Sequence, residues 1–342
     1  MLKEAIARLM ERRDLDREEI LGVFEEIFSG HTTSAQIAGF LVALRMKGET
    51  AVEIAGAADA MRRNVTRIRV PEGRIVLDTC GTGGDGSHTF NISTAAAFVA
   101  AGAGATVAKH GGRSVSSSCG SADVLSAAGV NIQAPVAVVE RCLDEIGIGF
   151  LFAPNLHEVM KHVIGPRREL GIRSIFNLMG PLANPAGATH QLLGVYAPEL
   201  VPVVAQTLVA LGTKRALVVH GQGGLDEISP CGPTRAALVE NGSFRELEIH
   251  PEEVGVPLVR LSELKGGDPA ANADQLRSLL NGAEGPIREA VVLNSAGALW
   301  VAGIAADLRE GAQIAREVLD SGKALVKLRD LIAVTTAQAE AG

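Results

Sequence analysis

The sequence predicts an α/β fold in which a small N-terminal all-helical domain precedes a larger α/β domain with a mostly parallel sheet. Residues 1 to about 65 carry apolar side chains at helical spacing, interrupted by helix caps. After residue 70, short β-branched runs alternate with alanine-rich helical segments, which is typical of a parallel sheet covered on both faces. We therefore expect a helical domain over residues 1–70 and an α/β domain over residues 71–342. A segment near residues 165–185 is expected to pack back on the first domain.

Three capping boxes divide the N-terminal region into separate helices. In this motif the first side chain accepts a hydrogen bond from the backbone three residues later, and the later side chain returns one. Gly30 and Gly48 are placed to end the second and third helices. The boxes are formed by the pairs Asp16 with Glu19, Thr33 with Gln36, and Thr50 with Glu53.

The second region alternates between strand-like and helix-like runs. Its helical segments include "STAAAFVAAGAG" and "SADVLSAAG", and the tail "LREGAQIAREVLDSGKALVKLRDL" predicts two closing helices. Strands are predicted in "RIVLDT", "ATVAKH", "GIGFLFAP", "KRALVVHG" and "AVVLNSAG".

Charge and composition exclude several classes of protein. The net charge of −7 argues against a general nucleic-acid or membrane surface, which would need clustered lysine and arginine. No apolar run is long enough to span a bilayer, and the charged start "MLKEAIARLMERRD" lacks the apolar core of a signal peptide. Without a C-x-x-C pair the chain offers no zinc site, and a cytoplasmic location is expected. The cysteines are Cys80, Cys119, Cys142 and Cys231.

Three polar segments follow strand-like runs, at the positions where an open parallel sheet collects its ligands. The first, residues 81–94, is rich in glycine and ends in hydroxyl side chains. The second, residues 109–121, contains Lys109 and Arg113, and the third, residues 221–229, contains Asp226 and Glu227. Together these groups suit a large anionic ligand and a divalent metal, since Mg²⁺ prefers oxygen ligands.

Each segment also has a purely structural interpretation. The first lacks both the G-x-G-x-x-G spacing and the G-K-[ST] ending, and its hydroxyls are also suited to capping a helix. Lys109 and Arg113 are compatible with a solvated loop, and an Asp-Glu pair is common on surfaces. Of Arg167 and Arg168, one is a candidate to pair with a substrate carboxylate and the other is better explained as a surface charge.

Taken together, the motifs resemble those of the anthranilate phosphoribosyltransferase family along nearly the whole chain. The motifs are "GTGGDG", "NIST", "KHGGRSVSSSCGSADVL", "GFLFAP", "RRELGIRSIFNLMGPLANPAG" and "GLDEIS". The resemblance implies a nucleoside phosphorylase/phosphoribosyltransferase-like architecture and a homodimer. It also implies transfer of phosphoribose from phosphoribosyl pyrophosphate (PRPP) to the amine of anthranilate, with Mg²⁺ as cofactor, in tryptophan biosynthesis.

The resemblance also assigns the site residues, with no side chain acting as nucleophile or base. Magnesium would be held by Ser93, Asp226 and Glu227. Anthranilate would meet Gly81, His110, Gly112, His157, Arg167 and Gly180. The PRPP site would comprise Gly81, Gly84, Asp85, Thr89, Asn91, Ile92, Ser93, Thr94, Lys109, Gly111, Gly112, Arg113, Ser116, Ser117 and Ser121.

Two positions depart from the family pattern. The family motif reads K-H-G-N-R, whereas this chain has Gly112 in place of the asparagine that contacts anthranilate. Losing one neutral hydrogen bond costs about 0.5–1.5 kcal/mol, so anthranilate binding is expected to weaken about tenfold at most. Ser118 replaces a basic residue, which is expected to soften a diphosphate contact.

Two alternatives of other kinds stay open from the sequence. A pyrimidine-nucleoside phosphorylase shares the architecture and would use phosphate as nucleophile, although "NLMGPLANP" and "DEIS" favour the transferase. A noncatalytic nucleic-acid-binding relative would need a basic groove, which the net charge of −7 disfavours.

Overall fold

The computed structural model describes residues 1–113 and 119–337 of the chain. Its strands form one seven-stranded sheet in the order β3-β2-β1-β4-β5-β6-β7. The strands are β1 Val76–Gly81, β2 Thr106–Gly111, β3 Ile148–Phe152, β4 His190–Gly194, β5 Arg215–Gly221, β6 Thr234–Glu240 and β7 Ser243–Ile249.

Helices cover both faces of the sheet and form the N-terminal unit. Four precede the sheet: α1 Leu2–Met10, α2 Arg17–Phe28, α3 Ser34–Lys47 and α4 Ala51–Arg63. Six lie between β1 and β4: α5 Ile92–Gly102, α6 Ser121–Ala127, α7 Val136–Glu145, α8 Ala153–Leu156, α9 Lys161–Leu170 and α10 Ile175–Leu182. The remaining ones are α11 Leu200–Ala210, α12 Pro269–Leu280, α13 Pro286–Val301, α14 Leu308–Asp320 and α15 Lys323–Thr336.

The N-terminal helices begin where the capping boxes predict. All three boxes are formed, and Gly48 caps the end of α3 at a φ of 94°, which favours glycine. The apolar faces of α2 and α3 are buried through Val23, Phe24, Phe40 and Leu41, each at most 1% exposed. Burial of these faces holds the short helices together, since isolated helices of this length are marginal in water.

The sheet is mostly parallel, which confirms the predicted fold class. Strands β3, β2, β1, β4 and β5 pair in parallel, and β6 and β7 add an antiparallel edge. The turn between β6 and β7 contains Asn241 and Gly242 at φ of 53° and 73°. An Asn-Gly pair with positive φ at both residues is the strongest short-range hairpin signal, but this hairpin was not predicted from the sequence.

The prediction of a strand at "AVVLNSAG" is wrong. Residues 290–297 lie in the middle of the 16-residue helix α13, which is buried on nearly every side. A helix buried all round shows no alternation of polar and apolar faces, so a short apolar window inside it looks like a buried strand. The two closing helices predicted for the tail are present as α14 and α15.

The segment after β3 returns to the N-terminal helices. Helices α9 and α10 pack on α2, α3 and α4. Phe176 of α10 lies with its ring centroid 5.5 Å from that of Phe24 and 6.5 Å from that of Phe28. The packing places residues of α9 and α10 between the helical unit and the carboxyl ends of the strands.

Candidate active site

The three polar segments of the sequence meet around one cavity at the carboxyl ends of the parallel strands. The cavity has a volume of about 420 Å³ and is lined by the loop after β1, the end of β2, the start of α6, and residues of α9 and α10. Asp226 and Glu227 line the same cavity. The topology therefore brings together backbone N–H groups suited to binding phosphate, cationic side chains and acidic side chains from distant parts of the chain.

The glycine-rich loop after β1 approaches the carboxylates through its backbone. Gly83, Gly84 and Gly86 adopt φ values of 65° to 75°, which residues other than glycine rarely adopt. The N–H of Gly83 donates to Oδ2 of Asp226 at 2.7 Å. The Asp85 carboxylate accepts from the hydroxyl of Ser87 at 2.5 Å, which closes the loop on itself.

Glycines at the ends of three strands make room for the turn that carries Asp226 and Glu227. A Cβ on Gly81 or Gly194, the last residues of β1 and β4, would overlap atoms of Asp226. At the end of β5, a Cβ on Gly221 would lie 2.6 Å from the carbonyl oxygen of Glu227. Larger residues at these positions would displace the carboxylates from the cavity wall, so the glycines are needed for close approach.

The two carboxylates repel each other and are poorly solvated. Burial, followed by the charge of Asp85, raises the pKa of Asp226 to about 7. Burial and the charge of Asp226 raise the pKa of Glu227 to about 8, although Lys109 acts in the opposite direction. The N–H of Ser93, in the first turn of α5, donates to Oε1 of Glu227 at 3.0 Å. A bound cation would relieve this repulsion.

The donors present fit Mg²⁺ that is shared with a phosphorylated ligand. Within residues 1–113 and 119–337, no three His, Cys, Asp or Glu side chains converge as a closed metal cage. Mg²⁺ is commonly held by one or two carboxylates together with substrate phosphates and water. Asp226 and Glu227 supply the carboxylates, and Ser93, which carries a hydroxyl, lines the same cavity.

Lys109 and Arg113 occupy different environments in the second segment. The ammonium of Lys109, 3% exposed, donates to the carbonyl of Thr79 at 2.6 Å, and burial lowers its pKa while nearby acids oppose that shift. Arg113 is bound to Asp123 of α6 at 2.8 Å, with its side chain 58% exposed. Lys109 is therefore a fixed cation of the cavity, whereas Arg113 lies at its margin.

His110 and His157 form a buried pair. Their Nε2 atoms are 3.0 Å apart, so one ring donates and the other accepts. Burial lowers the pKa of His110 to about 3, with the His157 ring contributing, and burial lowers the pKa of His157 to about 4. Both rings are neutral at pH 7, and only His110 reaches the cavity wall.

Arg167 of α9 is the cation nearest to the aromatic part of the wall. Its guanidinium lies 5.1 Å from the ring centroid of Phe176, and burial lowers its pKa. Arg167 forms no ion pair within the described parts of the chain. The side chain of its neighbour Arg168 is exposed. An arginine beside an aromatic ring and without a carboxylate partner is suited to an aromatic acid.

Most of the predicted site residues line this one cavity, including Gly112. His157 does not reach the wall and lies behind His110. Gly112 has open space at its Cβ position and a φ outside the left-handed region. Ser116, Ser117 and Ser118 lie outside the described residues. The predicted residues on the wall are Gly81, Gly84, Asp85, Thr89, Asn91, Ile92, Ser93, Thr94, Lys109, His110, Gly111, Gly112, Arg113, Ser121, Arg167, Gly180, Asp226 and Glu227.

Comparison with known proteins identifies the family. Residues 3–65 match the helical bundle domain of the glycosyl transferase family, and residues 73–325 match its a/b domain. The chain is 56% identical over 339 residues to the anthranilate phosphoribosyltransferase of Anaeromyxobacter dehalogenans (strain 2CP-C), covering 99% of this chain and 100% of that protein. The chain belongs to the anthranilate phosphoribosyltransferase family.

Further relatives and solved structures of this family agree. The Geobacter sulfurreducens anthranilate phosphoribosyltransferase is 52% identical, with 98% of this chain and 99% of that protein covered. The crystal structure of the Thermus thermophilus enzyme superposes with a TM-score of 0.92 at 44% identity, covering 97% of this chain and 99% of that one. The Saccharomyces cerevisiae enzyme, solved in complex with PRPP and Mg, superposes with a TM-score of 0.90 at 30% identity, covering 98% of each chain.

Several wall residues were not among the predicted ones. Most of them lie next to predicted residues at the ends of β1 and β2 and in the loops that follow, whereas Ala153 lies in α8 and three others lie in α10. The additional wall residues are Cys80, Thr82, Gly83, Ser87, His88, Phe90, Cys119, Gly120, Ala153, Phe176, Asn177 and Pro181.

Within residues 1–113 and 119–337, no helix is both long and apolar enough to cross a bilayer.

Proposed function

We propose that the cavity binds PRPP and anthranilate and that the protein transfers 5-phosphoribose to the amine of anthranilate, releasing pyrophosphate. The product would be N-(5-phosphoribosyl)anthranilate, an intermediate of tryptophan biosynthesis. One observation carries the proposal. The glycine-rich loop, Lys109, the carboxylate pair at residues 226 and 227, and Arg167 all line one cavity of about 420 Å³. The complex of the yeast relative with PRPP and Mg supports it.

The chain's own groups would bind the donor through its diphosphate. Lys109 and the backbone of the loop after β1 would face the phosphate oxygens, and the N-terminus of α5 would add its partial positive charge. Asp226, Glu227 and Ser93 would hold Mg²⁺, which, when bound, neutralises charge on the leaving pyrophosphate. This negative charge develops as the bond between the ribose and the pyrophosphate breaks. The arrangement therefore favours departure of the pyrophosphate.

The acceptor would be held by Arg167 and the surfaces beside it. The guanidinium can accept a carboxylate by two parallel hydrogen bonds, which would orient the neighbouring amine. An aromatic amine is neutral at pH 7 and attacks without a strong base. This is consistent with the neutral, buried His110, whose pKa of about 3 makes it unsuited to take up a proton near pH 7.

Domain division, oligomeric state and location complete the proposal. We propose a boundary near residue 70, with residues 165–185 packing on the helical domain and the substrates lying between the two parts; the two family matches support it. A homodimer is proposed because the family resemblance implies one. A cytoplasmic location is proposed with it.

The test is a fluorescence assay of anthranilate consumption with PRPP and Mg²⁺, with each component omitted in turn. Consumption should require both PRPP and Mg²⁺. Replacing anthranilate by inorganic phosphate tests the pyrimidine-nucleoside phosphorylase alternative, and a gel-shift with DNA at two salt concentrations tests the nucleic-acid-binding one. PRPP-independent loss of anthranilate fluorescence, or no consumption at all, would refute the proposal.

A further inference from the structure

Asp78 is a buried carboxylate that the reaction scheme does not use. It lies on the central strand β1, 0% exposed, and is absent from the cavity wall. Removing a carboxylate from water is strongly unfavourable unless it is paired and hydrogen-bonded. The groups that form hydrogen bonds with Asp78 therefore indicate which parts of the chain it holds in place.

The carboxylate of Asp78 accepts a hydrogen bond just beyond the point where the backbone pairing of β1 with β2 ends. The two strands pair at Val76 with Thr106 and at Leu77 with Val107, and the pairing stops there. Asp78 is the next residue of β1, and one of its carboxylate oxygens accepts a hydrogen bond from the backbone N–H of His110 in β2 at 3.1 Å. Backbone pairing between the two strands has ended at this point, so a side chain supplies the acceptor for this N–H.

Two more side chains form hydrogen bonds nearby. Lys109 donates to the carbonyl of Thr79 at 2.6 Å. Asn184, which follows α10, donates to the other oxygen of Asp78 at 2.8 Å and to the carbonyl of Ala108 at 2.9 Å. Asp78 thus joins β1 to the end of β2 and to the segment that carries Gly180.

The contacts fit the ionised form of Asp78. Both of its oxygens accept hydrogen bonds, from His110 and from Asn184, and a protonated acid would need an acceptor for its own proton. Burial raises the pKa of Asp78, while the ammonium of Lys109, a nearby opposite charge, opposes that rise. Asp78 is therefore the buried counter-charge of the cavity's fixed cation.

We propose that Asp78 is a positioning residue for PRPP, acting through Lys109 and through the backbone at His110–Gly112. This role rests on the proposed function, because it assumes that Lys109 and this backbone meet the diphosphate. Asp78 itself does not reach the ligand. It supplies the counter-charge for the buried Lys109 ammonium and holds the backbone N–H of His110 at the end of β2.

The test compares Asp78→Asn with a matched control, Glu53→Gln. Glu53 is also 0% exposed and paired with a lysine, Lys47 at 2.9 Å, but it lies in α4 away from the cavity. Calorimetry of PRPP binding with Mg²⁺, KM values for both substrates and thermal melts are measured for each variant. Asp78→Asn should weaken PRPP binding about 10- to 100-fold and change the anthranilate KM less than about threefold. Glu53→Gln should lower only the melting temperature.

A double-variant cycle separates positioning from a general structural effect. If Asp78 acts in part through Lys109, then Asp78→Asn in a Lys109→Met background should weaken PRPP binding less than it does in the wild type, because the part that acts through Lys109 is already gone. Full additivity of the two losses would overturn the proposed route. Unchanged PRPP affinity in folded Asp78→Asn would overturn the proposal as a whole.

A second variant covers the case in which Asp78→Asn does not fold. Asn184→Ala removes one anchor of Asp78 and should weaken PRPP binding about three- to tenfold. Unchanged affinity in that variant overturns the proposal. Wild-type binding of PRPP is measured first, so that its absence refutes the proposed function itself, while normal wild-type binding with unaffected variants refutes only the role of Asp78.

Discussion

Gly112 lies on the cavity wall with open space where a side chain would extend. Gly112→Asn should therefore fold normally and lower the anthranilate KM by up to about tenfold, by restoring a neutral hydrogen bond of about 0.5–1.5 kcal/mol. Steady-state kinetics with anthranilate varied at saturating PRPP measures the effect. Gly112→Ala is the control, since it adds a Cβ without the amide. An unchanged KM in Gly112→Asn would show that no such hydrogen bond forms.

Arg167 and Arg168 are adjacent in the chain but differ in exposure, which makes them a matched pair. Arg167→Lys keeps the charge and loses the planar two-pronged donor, so the anthranilate KM should rise about tenfold while the PRPP KM changes little. Arg168→Lys, at an exposed position, should leave both values unchanged. Equal effects of the two substitutions would contradict the assignment of Arg167 to the acceptor.

At the level of elements, the glycine ends of the strands determine where the carboxylates lie. Gly194→Ala would place a Cβ on backbone atoms of Asp226, so the turn must move. We expect a loss of about 1–3 kcal/mol in the free energy of unfolding and weaker Mg²⁺-dependent PRPP binding. Urea unfolding and calorimetry measure the two effects.

A glycine in open space provides the control for Gly194. Gly165 lies inside α9 with nothing near its Cβ position, so Gly165→Ala should be neutral or gain up to about 1 kcal/mol. Wild-type stability and binding in Gly194→Ala would mean that the close approach of β4 to residue 226 is not required.

Most elements that the sequence predicted carry local signals, although the hairpin at Asn241-Gly242 carries one too and was missed. Elements defined by burial were not predicted. The helices that begin at Asp16, Thr33 and Thr50 carry their caps in the chain and were placed correctly. Helix α13 was taken for a strand, because burial on all sides removes its periodicity. Strand β4, only five residues long, was not found either, and it sits in the sheet through pairing with β1 and β5.

The candidate site also has features that the sequence predicts and features that it does not. That the three polar segments meet follows from the rule that parallel strands end at one edge of the sheet. Which side chains point into the cavity depends on backbone path, as His157 shows by lying behind His110. The raised pKa values of Asp226 and Glu227 depend on burial, which no short segment of sequence reports.

For the molecule as a whole, the buried histidine pair predicts a loss of stability in weak acid. His110 and His157 have folded-state pKa values of about 3 and about 4, below the usual 6.5. As the pH falls through 6.5, the unfolded chain takes up protons that the folded chain refuses, so the free energy of unfolding decreases. Between pH 7.5 and 5.5 the pair should account for a loss of about 2–3 kcal/mol.

Urea unfolding at the two pH values measures this loss. The double variant His110→Asn, His157→Asn should show a smaller decrease than the wild type, and the exposed-site control His31→Gln should match the wild type. The comparison between variants is needed because Asp226 and Glu227, with raised pKa values, act in the opposite direction. Identical pH dependence in the double variant would contradict the burial of neutral rings.

The most direct measurement is Mg²⁺-dependent anthranilate consumption by Asp226→Ala, Glu227→Ala beside the wild type. We expect the double variant to stay folded, because removing two mutually repelling carboxylates relieves an unfavourable contact. Turnover that depends on Mg²⁺ should fall to background, while circular dichroism and melting match the wild type. A folded variant that consumes anthranilate at the undiminished rate and with the same Mg²⁺ dependence would contradict the account.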